Sequence, residues 1–473
     1  MYMEDIRARI DAMQDEMIST IREIVAVPSV GGDAEPGAPF GKGPRAALAK
    51  FVEIGDRLGM KTGIFEDQAG WADMGSPDDE MIAVLAHVDV VPPGEGWSCD
   101  PWEGMIKDGY LYGRGVADNK GQAVCAMYAL KAIREAGITL KRRVRVLVGT
   151  NEEMGSKAIH HYVESGQELP VAGFTPDAEY PLINGEKGSI TPTCRAPFAP
   201  DGGSVQVMSI DAGVAANAVP SRAVAVLKVA PCAKARLDRV VADFAAPRDA
   251  KLTCEALGND EWKLTMEGMS FHGSQPQFGS NAAAHLVQLL RLLGIGGEQG
   301  AFLDKIDALV GTQTRGENLG VCLYDDISGF TSLCWGILKT EGDKVVFTLN
   351  YRFPVTFTLE PVREAFISKL TSEGFEVSNT RGANPLYVPE DAPIVQKLMK
   401  AYFDETGRSG EKPMSIGGGT YAKAMPNILA FGTTLPGENT HIHEIDERWK
   451  IENIVLSTKI MAAAILSLAE VKE

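Results

Sequence analysis

The segments Ala86-His87-Val88-Asp89 and His443-Glu444-Ile445-Asp446-Glu447 lie more than 350 residues apart, and each sets an imidazole beside a carboxylate. Three segments between them are similar in character: Gly113-Arg114-Gly115-Val116-Ala117-Asp118-Asn119-Lys120-Gly121, Gly149-Thr150-Asn151-Glu152-Glu153-Met154-Gly155 and Thr175-Pro176-Asp177. Side chains that share one ligand must meet at one point. The chain is therefore expected to leave a first domain near residue 187 and to re-enter it near residue 385.

The pattern around these segments fits that path. Residues 81–91 and 144–148 read as nearly continuous apolar strands, the mark of strands buried on both faces. Between them a helix from Asn119 to Gly137 puts Val124, Met127, Leu130 and Ile133 on one face. Residues 1–187 and 385–473 are thus expected to form an α/β domain whose mixed, mostly parallel sheet is flanked by helices. In the second stretch, residues 392–405 and 447–472 read as helices and 427–433 as a buried strand. Residues 188–384 read instead as hairpin-like strands, an inserted α+β domain. A strand, helix, strand order at 222–257 recurs at 344–379, so this domain is expected to contain two similar halves.

Composition narrows the class. A chain of 473 residues with 45% hydrophobic and 23% charged residues exceeds one core and is expected to fold compactly. A net charge of -17 disfavours nucleic acid and anionic membrane surfaces as partners. Ile6, Ile10, Met13, Ile21 and Ile24 recur at helical spacing among charged residues, which reads as an amphipathic helix and not a signal peptide. No uninterrupted apolar run reaches transmembrane length. Seven cysteines without a CxxC pair fit reduced thiols and a cytoplasmic location.

Each chemical segment has a plain reading beside the functional one. His87 and Asp89 leave one face at the carboxyl end of a strand, where open α/β sheets bind ligands; a strand-end histidine more often makes a structural hydrogen bond. Asp118 precedes a helix and reads as its N-cap, although a capping carboxylate keeps lone pairs that can bridge two ions. Glu152-Glu153 reads equally as a solvated turn or as a pair in which one Glu binds metal and the other takes a proton from water. Asp177 could start a turn. One of His441 and His443 is a bystander, and His160 and His161 read as exposed. Together, three carboxylates and two imidazoles with no thiolate suit a hydrolytic metal site. With a hydroxide, the three carboxylates balance two divalent ions, Zn²⁺ first, with Mn²⁺ or Co²⁺ as alternatives.

The five motifs, in this order over nearly the whole chain, resemble the di-metal (zinc/manganese) metallopeptidase family of aminoacylase, carboxypeptidase G and succinyl-diaminopimelate desuccinylase. The likeness is nearest to the PepV and Sapep type of dipeptidase. Its marks are the length, the enlarged insertion, Gly185-Glu186-Lys187-Gly188 at the hinge, and Ser415-Ile416-Gly417-Gly418-Gly419-Thr420-Tyr421-Ala422-Lys423. The resemblance implies that His87 and Asp177 hold one metal, Glu153 and His443 the other, and that Asp118 bridges. Its spacing to Asp446-Glu447 selects His443 over His441. It makes Glu152 the general base and acid, Asp89 the orienting partner of His87, and the Asp118–Asn119 peptide cis.

The insertion resembles the family's lid. Gly268-Met269-Ser270-Phe271-His272-Gly273, followed by Gly279-Ser280-Asn281-Ala282, implies that His272 stabilises the oxyanion. Asn217, in Ala216-Asn217-Ala218-Val219-Pro220, would be a second polar contact. Arg352, in Asn350-Tyr351-Arg352-Phe353-Pro354, would clamp a substrate carboxylate, its plainer reading being an exposed strand arginine. Gly418, Gly419 and Thr420 would offer backbone N–H groups to the same carboxylate, or form a flexible turn. Lys423 stands where an arginine is common. A doubled lid implies a monomer, with a homodimer as the alternative.

The expected activity is metal-dependent hydrolysis of the amide bond of small peptides, dipeptides with a free C-terminal carboxylate, by a hydroxide between two metals with Glu152 as base. The alternative is a deacylase of N-acyl amino acids or succinyl-diaminopimelate. A non-catalytic metal- or carboxylate-binding protein would not need Glu152. A dinucleotide-binding fold is disfavoured because no GxGxxG follows the first strand.

Overall fold

The computed structural model describes residues 2–244 and 250–472. The chain divides into two compact units, Met1–Asn184 with Val388–Met414 and Gly419–Glu473, and Gly185–Tyr387 with Ser415–Gly418.

The first unit is α/β. The strands Met81–His87 and Arg143–Gly149, buried at every position, pair in parallel with His87 opposite Gly149. Ala172–Thr175 lies parallel on the other side of Met81–His87, and Ile428–Ala430 lies parallel beyond it. Ala69–Met74 and Lys61–Phe65 extend the sheet in antiparallel fashion, making it mixed. Arg143 and Arg145 tolerate burial in a central strand because Asp73 receives both guanidinium groups, at 2.7 Å from Arg143 Nη1 and 2.8 Å from Arg145 Nε.

The helix Lys120–Glu135 is buried along most of its length, packed against Met81–His87 and the helices Gln14–Val25 and Ile451–Ala469. Ile451–Ala469 is long and apolar enough, by length and composition, to cross a membrane. Here Ile454, Ile460, Met461, Ile465 and Leu468 are buried, against Lys120–Glu135 and Pro393–Thr406. This helix starts later than its apolar pattern predicts, because Arg448–Lys450 pairs as a strand with Tyr110–Tyr112.

The second unit is built on an antiparallel eight-stranded sheet. Its order is Lys251–Gly258, Glu261–Glu267, Arg222–Val229, Val205–Ala212, Ser332–Glu341, Lys344–Phe353, Gly188–Pro197 and Glu376–Ala383. Burial alternates along Gly188–Pro197, as one covered face requires. Leu237, Leu286, Phe302 and Phe366 from four helices join Phe347 and Tyr351 in the core. Arg222–Val229 and Lys251–Gly258 are linked through the helix Lys234–Asp243 and flank one strand; Lys344–Phe353 and Glu376–Ala383 are linked through Leu359–Ser372 and do the same. All seven cysteines are free thiols.

Candidate metal centre

Parallel pairing brings the carboxyl ends of Met81–His87, Arg143–Gly149 and Ala172–Thr175 to one edge of the first unit, and the chemical segments leave from there. His87 is fully buried. Its Nδ1 lies 3.0 Å from the main-chain carbonyl of Asp89, which aims Nε2 at the carboxylates of Asp118, 2.9 Å away, and Asp177, 3.6 Å away. The partner that orients His87 is thus the Asp89 carbonyl rather than its carboxylate, which stands 3.6 Å from Nδ1. That carboxylate accepts the backbone N–H groups of Glu152 at 3.0 Å and Glu153 at 3.1 Å.

Asp118 departs from the plainer expectation. The N-cap of Lys120–Glu135 is Asn119, with no side-chain capping bond, and the Asp118–Asn119 peptide is cis. The Asp118 carboxylate faces an imidazole with each oxygen: Oδ1 is 2.9 Å from His87 Nε2 and Oδ2 is 3.0 Å from His443 Nε2. His443 Nε2 also lies 3.2 Å from Glu153 Oε1. His441 turns elsewhere, its Nε2 3.1 Å from Arg448 Nη2 and its Nδ1 3.3 Å from the Ile445 carbonyl. Donor atoms of His87, Glu152 and Asp177 lie within 4.8 Å of one another, as do those of His87, Asp118 and Glu153.

So many acids in one buried place repel. Burial, then Asp177 and the other carboxylates, push Glu152 up to about 8, and burial with Asp118 pushes Asp177 up to about 6. Hydrogen bonds to Asp118 and Glu153 raise His443 to about 10. On His87, burial opposes the charge but Asp177, Asp118 and Asp89 outweigh it, so its pKa rises well above the ordinary value. The cluster draws positive charge inward, and its imidazole nitrogens and carboxylate oxygens are the donor set of Zn²⁺, Mn²⁺ and Co²⁺. The residues present fit divalent cations.

Two residues escaped the sequence reading as members of this site. Glu447, fully buried, accepts Arg114 Nη1 at 2.6 Å and the backbone N–H groups of Gly115 and Ala117 at 3.1 and 2.9 Å. It ties the loop of His443 to the loop of Asp118. The signal was present as an arginine inside a glycine loop and an acid ending the last motif. Tyr421 packs edge-on to His87, ring centroids 6.0 Å apart, with its buried hydroxyl lacking a hydrogen-bond partner. Burial and Asp89 raise its pKa well above the ordinary value, so it stays protonated. It adjoins the glycine run but carries no motif of its own.

The other predicted residues lie mostly in the second unit. The main chains of Asn217 and His272 meet, Gly273 N–H donating to the Asn217 carbonyl at 2.7 Å, and His272 Nδ1 is 2.6 Å from Ser274 Oγ. Burial and Arg352 lower the His272 pKa. Arg352 is buried, not an exposed strand arginine, and donates to Asn350 Oδ1 at 2.8 Å and the Gly417 carbonyl at 2.7 Å. Gly418 belongs to this unit, Gly419 and Thr420 to the first. Thr420 Oγ1 accepts the Ala422 N–H at 3.2 Å, capping a short 3₁₀ turn.

The sequence profile described as Peptidase family M20/M25/M40 matches residues 83–467. The Bacillus subtilis (strain 168) protein named "Putative dipeptidase YtjP" is 34% identical over 467 residues, covering 97% of this chain and 98% of that one. "Putative dipeptidase SH1171" of Staphylococcus haemolyticus (strain JCSC1435) is 32% identical, covering 98% and 99%. Human carnosine dipeptidase 1 shares the fold at 17% identity, with a TM-score of 0.58 over 99% of each chain. The dipeptidase Dug1p of Saccharomyces cerevisiae does so at 14% identity, with a TM-score of 0.54 over 100% of this chain and 99% of that one. On the match of its motifs, fold and relatives, the chain belongs to Peptidase family M20/M25/M40 and is a metallopeptidase.

Proposed function

We propose that the enzyme hydrolyses dipeptides with a free C-terminal carboxylate and works with two divalent metal ions. His87 and Asp177 would hold one ion, Glu153 and His443 the other, and Asp118 would bridge them. Zn²⁺ is the first choice and Mn²⁺ or Co²⁺ the alternatives. The bridging role is supported by the two Asp118 oxygens, each within 3.0 Å of a different imidazole. Bound ions of this kind polarise a carbonyl and make water easier to deprotonate.

The chain's own groups do the rest. Glu152 accepts the proton of the attacking water and hands it to the leaving amine. Asp89 holds the main chain of Glu152 so that this carboxylate keeps one position. His272, with Asn217 as a second contact, donates a hydrogen bond to the carbonyl oxygen as charge grows on it. Arg352 takes the C-terminal carboxylate, with Gly418, Gly419 and Thr420 adding contacts.

The observation that carries the dipeptide reading is Arg352. It is a buried guanidinium that donates to a neutral amide oxygen and a neutral carbonyl, so a carboxylate from outside would complete it. Curated relatives named as dipeptidases over nearly the full length support the same reading. The enzyme is taken to act as a monomer. The test is a metal-titrated activity screen over dipeptides and N-acyl amino acids. Dipeptides should turn over; cleavage of the acyl compounds alone would assign the protein to the deacylases.

A further inference from the structure

Among the five proposed metal ligands, His443 is the one its surroundings hold least. Its side chain is 52% exposed and the other four are 17% exposed or less. It sits within residues 435–447, which form neither helix nor strand. His441, His443 and Asp446 have φ of +54°, +64° and +57°, a left-handed conformation that residues with side chains adopt uncommonly. Such a loop keeps its shape only where its contacts impose it.

The contacts come from two directions. Arg448 N–H donates to the Thr440 carbonyl at 2.9 Å and closes the base of the loop. Besides the Arg114–Glu447 pair, the loop is held by residues 93–98, which follow closely on the strand that ends in His87. Asp446 Oδ1 accepts both the N–H of Ser98 at 2.8 Å and its hydroxyl at 2.9 Å, and hydrogen bonds to an ionised acceptor are the stronger kind. Ile445 rests on Gly94 and Gly96, where a Cβ would meet its methyl groups at 3.9 and 3.8 Å. The holding segment is itself braced. Trp97 Nε1 donates to the Pro93 carbonyl at 2.6 Å, and Arg114 lies over the Trp97 ring at 5.3 Å while its Nη2 donates to the Glu444 carbonyl at 2.9 Å. The chain that leaves the first ligand thus returns to fix the last.

We propose that Asp446 is a positioning residue for His443: tied to Ser98, it sets the imidazole against Asp118 and Glu153 and so governs affinity for the one ion that His443 would hold. This rests on the two-ion reading. Groups that orient a ligand without touching the ion change metal affinity by about 10- to 100-fold. His87 and Asp177 lie outside the tie, so the other ion is spared.

The experiment is calorimetric titration of the metal-free protein with Mn²⁺, using parent, Asp446→Gly, Asp446→Asn and Ser98→Ala. Glycine suits the positive φ at this position but offers no acceptor, so Asp446→Gly removes the tie without straining the backbone. The parent should take up two ions. Asp446→Gly should weaken one of them by about tenfold or more and leave the other within about threefold. Asp446→Asn, whose amide oxygen still accepts the Ser98 N–H, should restore binding of both. Ser98→Ala keeps the N–H donor and should weaken the same ion by a smaller factor, about threefold. Unchanged binding in Asp446→Gly, or equal weakening of both ions, overturns the proposal. So does a loss in Asp446→Asn as large as in Asp446→Gly, or a loss that Ser98→Ala does not share. If Asp446→Gly fails to fold, Ser98→Ala decides alone, and parent-like binding there sinks the idea. Should the parent take up fewer than two ions, the two-ion reading has failed. Amide hydrogen exchange over residues 440–447 of the metal-free protein then reads the tie directly: faster exchange in Ser98→Ala than in the parent sustains it, and equal exchange refutes it.

Discussion

Asp89 and Glu152 are joined carboxylate to main chain: Asp89 Oδ1 accepts the Glu152 N–H at 3.0 Å, while Oδ2 accepts the Glu153 N–H at 3.1 Å. Both acids of the pair are set by the side chain of one residue, whose main-chain carbonyl orients His87. An amide can offer only one of its two side-chain atoms as an acceptor. Asp89→Asn should therefore lower kcat by about 10- to 100-fold, the cost of a slightly misplaced base, with metal content near that of the parent. Steady-state kinetics beside elemental analysis checks this; full activity would assign Asp89 a packing role only.

Glu152→Gln tests the proton carrier itself. Its kcat should fall by about 10²- to 10⁴-fold with KM little changed, since an amide of the same shape cannot take a proton. Retained hydrolysis would remove Glu152 from the reaction.

Removing the metal should expose the repulsion within the cluster. With burial and neighbouring acids holding Glu152 up to about 8, and His443 held up to about 10, the metal-free protein at pH 7 carries protons that divalent ions must displace. Calorimetric titration with Zn²⁺ or Mn²⁺ in two buffers of different ionisation heat should report release of at least about one proton per chain. Loading should also raise Tm, as for any ligand of the native state. Binding without proton release would contradict the crowding.

The Arg114–Glu447 pair predicts a pH-dependent defect. Burial and the Asp118 charge push Glu447 up to about 7, with Arg114 pulling it down. That folded value is above the unfolded value of about 4.3. Stability from this carboxyl is thus full below the unfolded pKa and lost as pH rises through the folded one. Arg114→Met should raise the folded value further, adding about 1.4 kcal/mol of deficit per unit once pH exceeds it. The gap in Tm between variant and parent should widen from pH 5 to pH 8. A constant gap would mean that Arg114 matters only for packing.

Much of the centre was legible because ligand chemistry restricts the residue types and glycines mark the close turns. His87, Asp118, Glu152, Glu153, Asp177 and His443 gather as their segments imply. The helix Lys120–Glu135 and the strands Met81–His87 and Arg143–Gly149 were readable from apolar period and run length. What stayed hidden depended on which atom of a residue acts. That Asp89 orients His87 through its main-chain carbonyl, or that Asn119 and not Asp118 occupies the N-cap position, is set by main-chain direction, which residue identity does not encode. The order of the eight strands in the second unit rests on long-range pairing, with Gly188–Pro197 lying between Lys344–Phe353 and Glu376–Ala383. Arg114 and Glu447 were hidden because a buried ion pair and a solvated one look alike in a sequence.

The Glu447 tie also gives the protein a timetable. During synthesis His87, Asp118 and Asp177 leave the ribosome hundreds of residues before His443 and Glu447. Until Glu447 arrives, the Asp118 loop lacks the carboxylate that holds Gly115 and Ala117. A nascent chain therefore cannot assemble the full site until residues 443–447 have emerged, and a product cut short before residue 443 would lack both the imidazole and the tether.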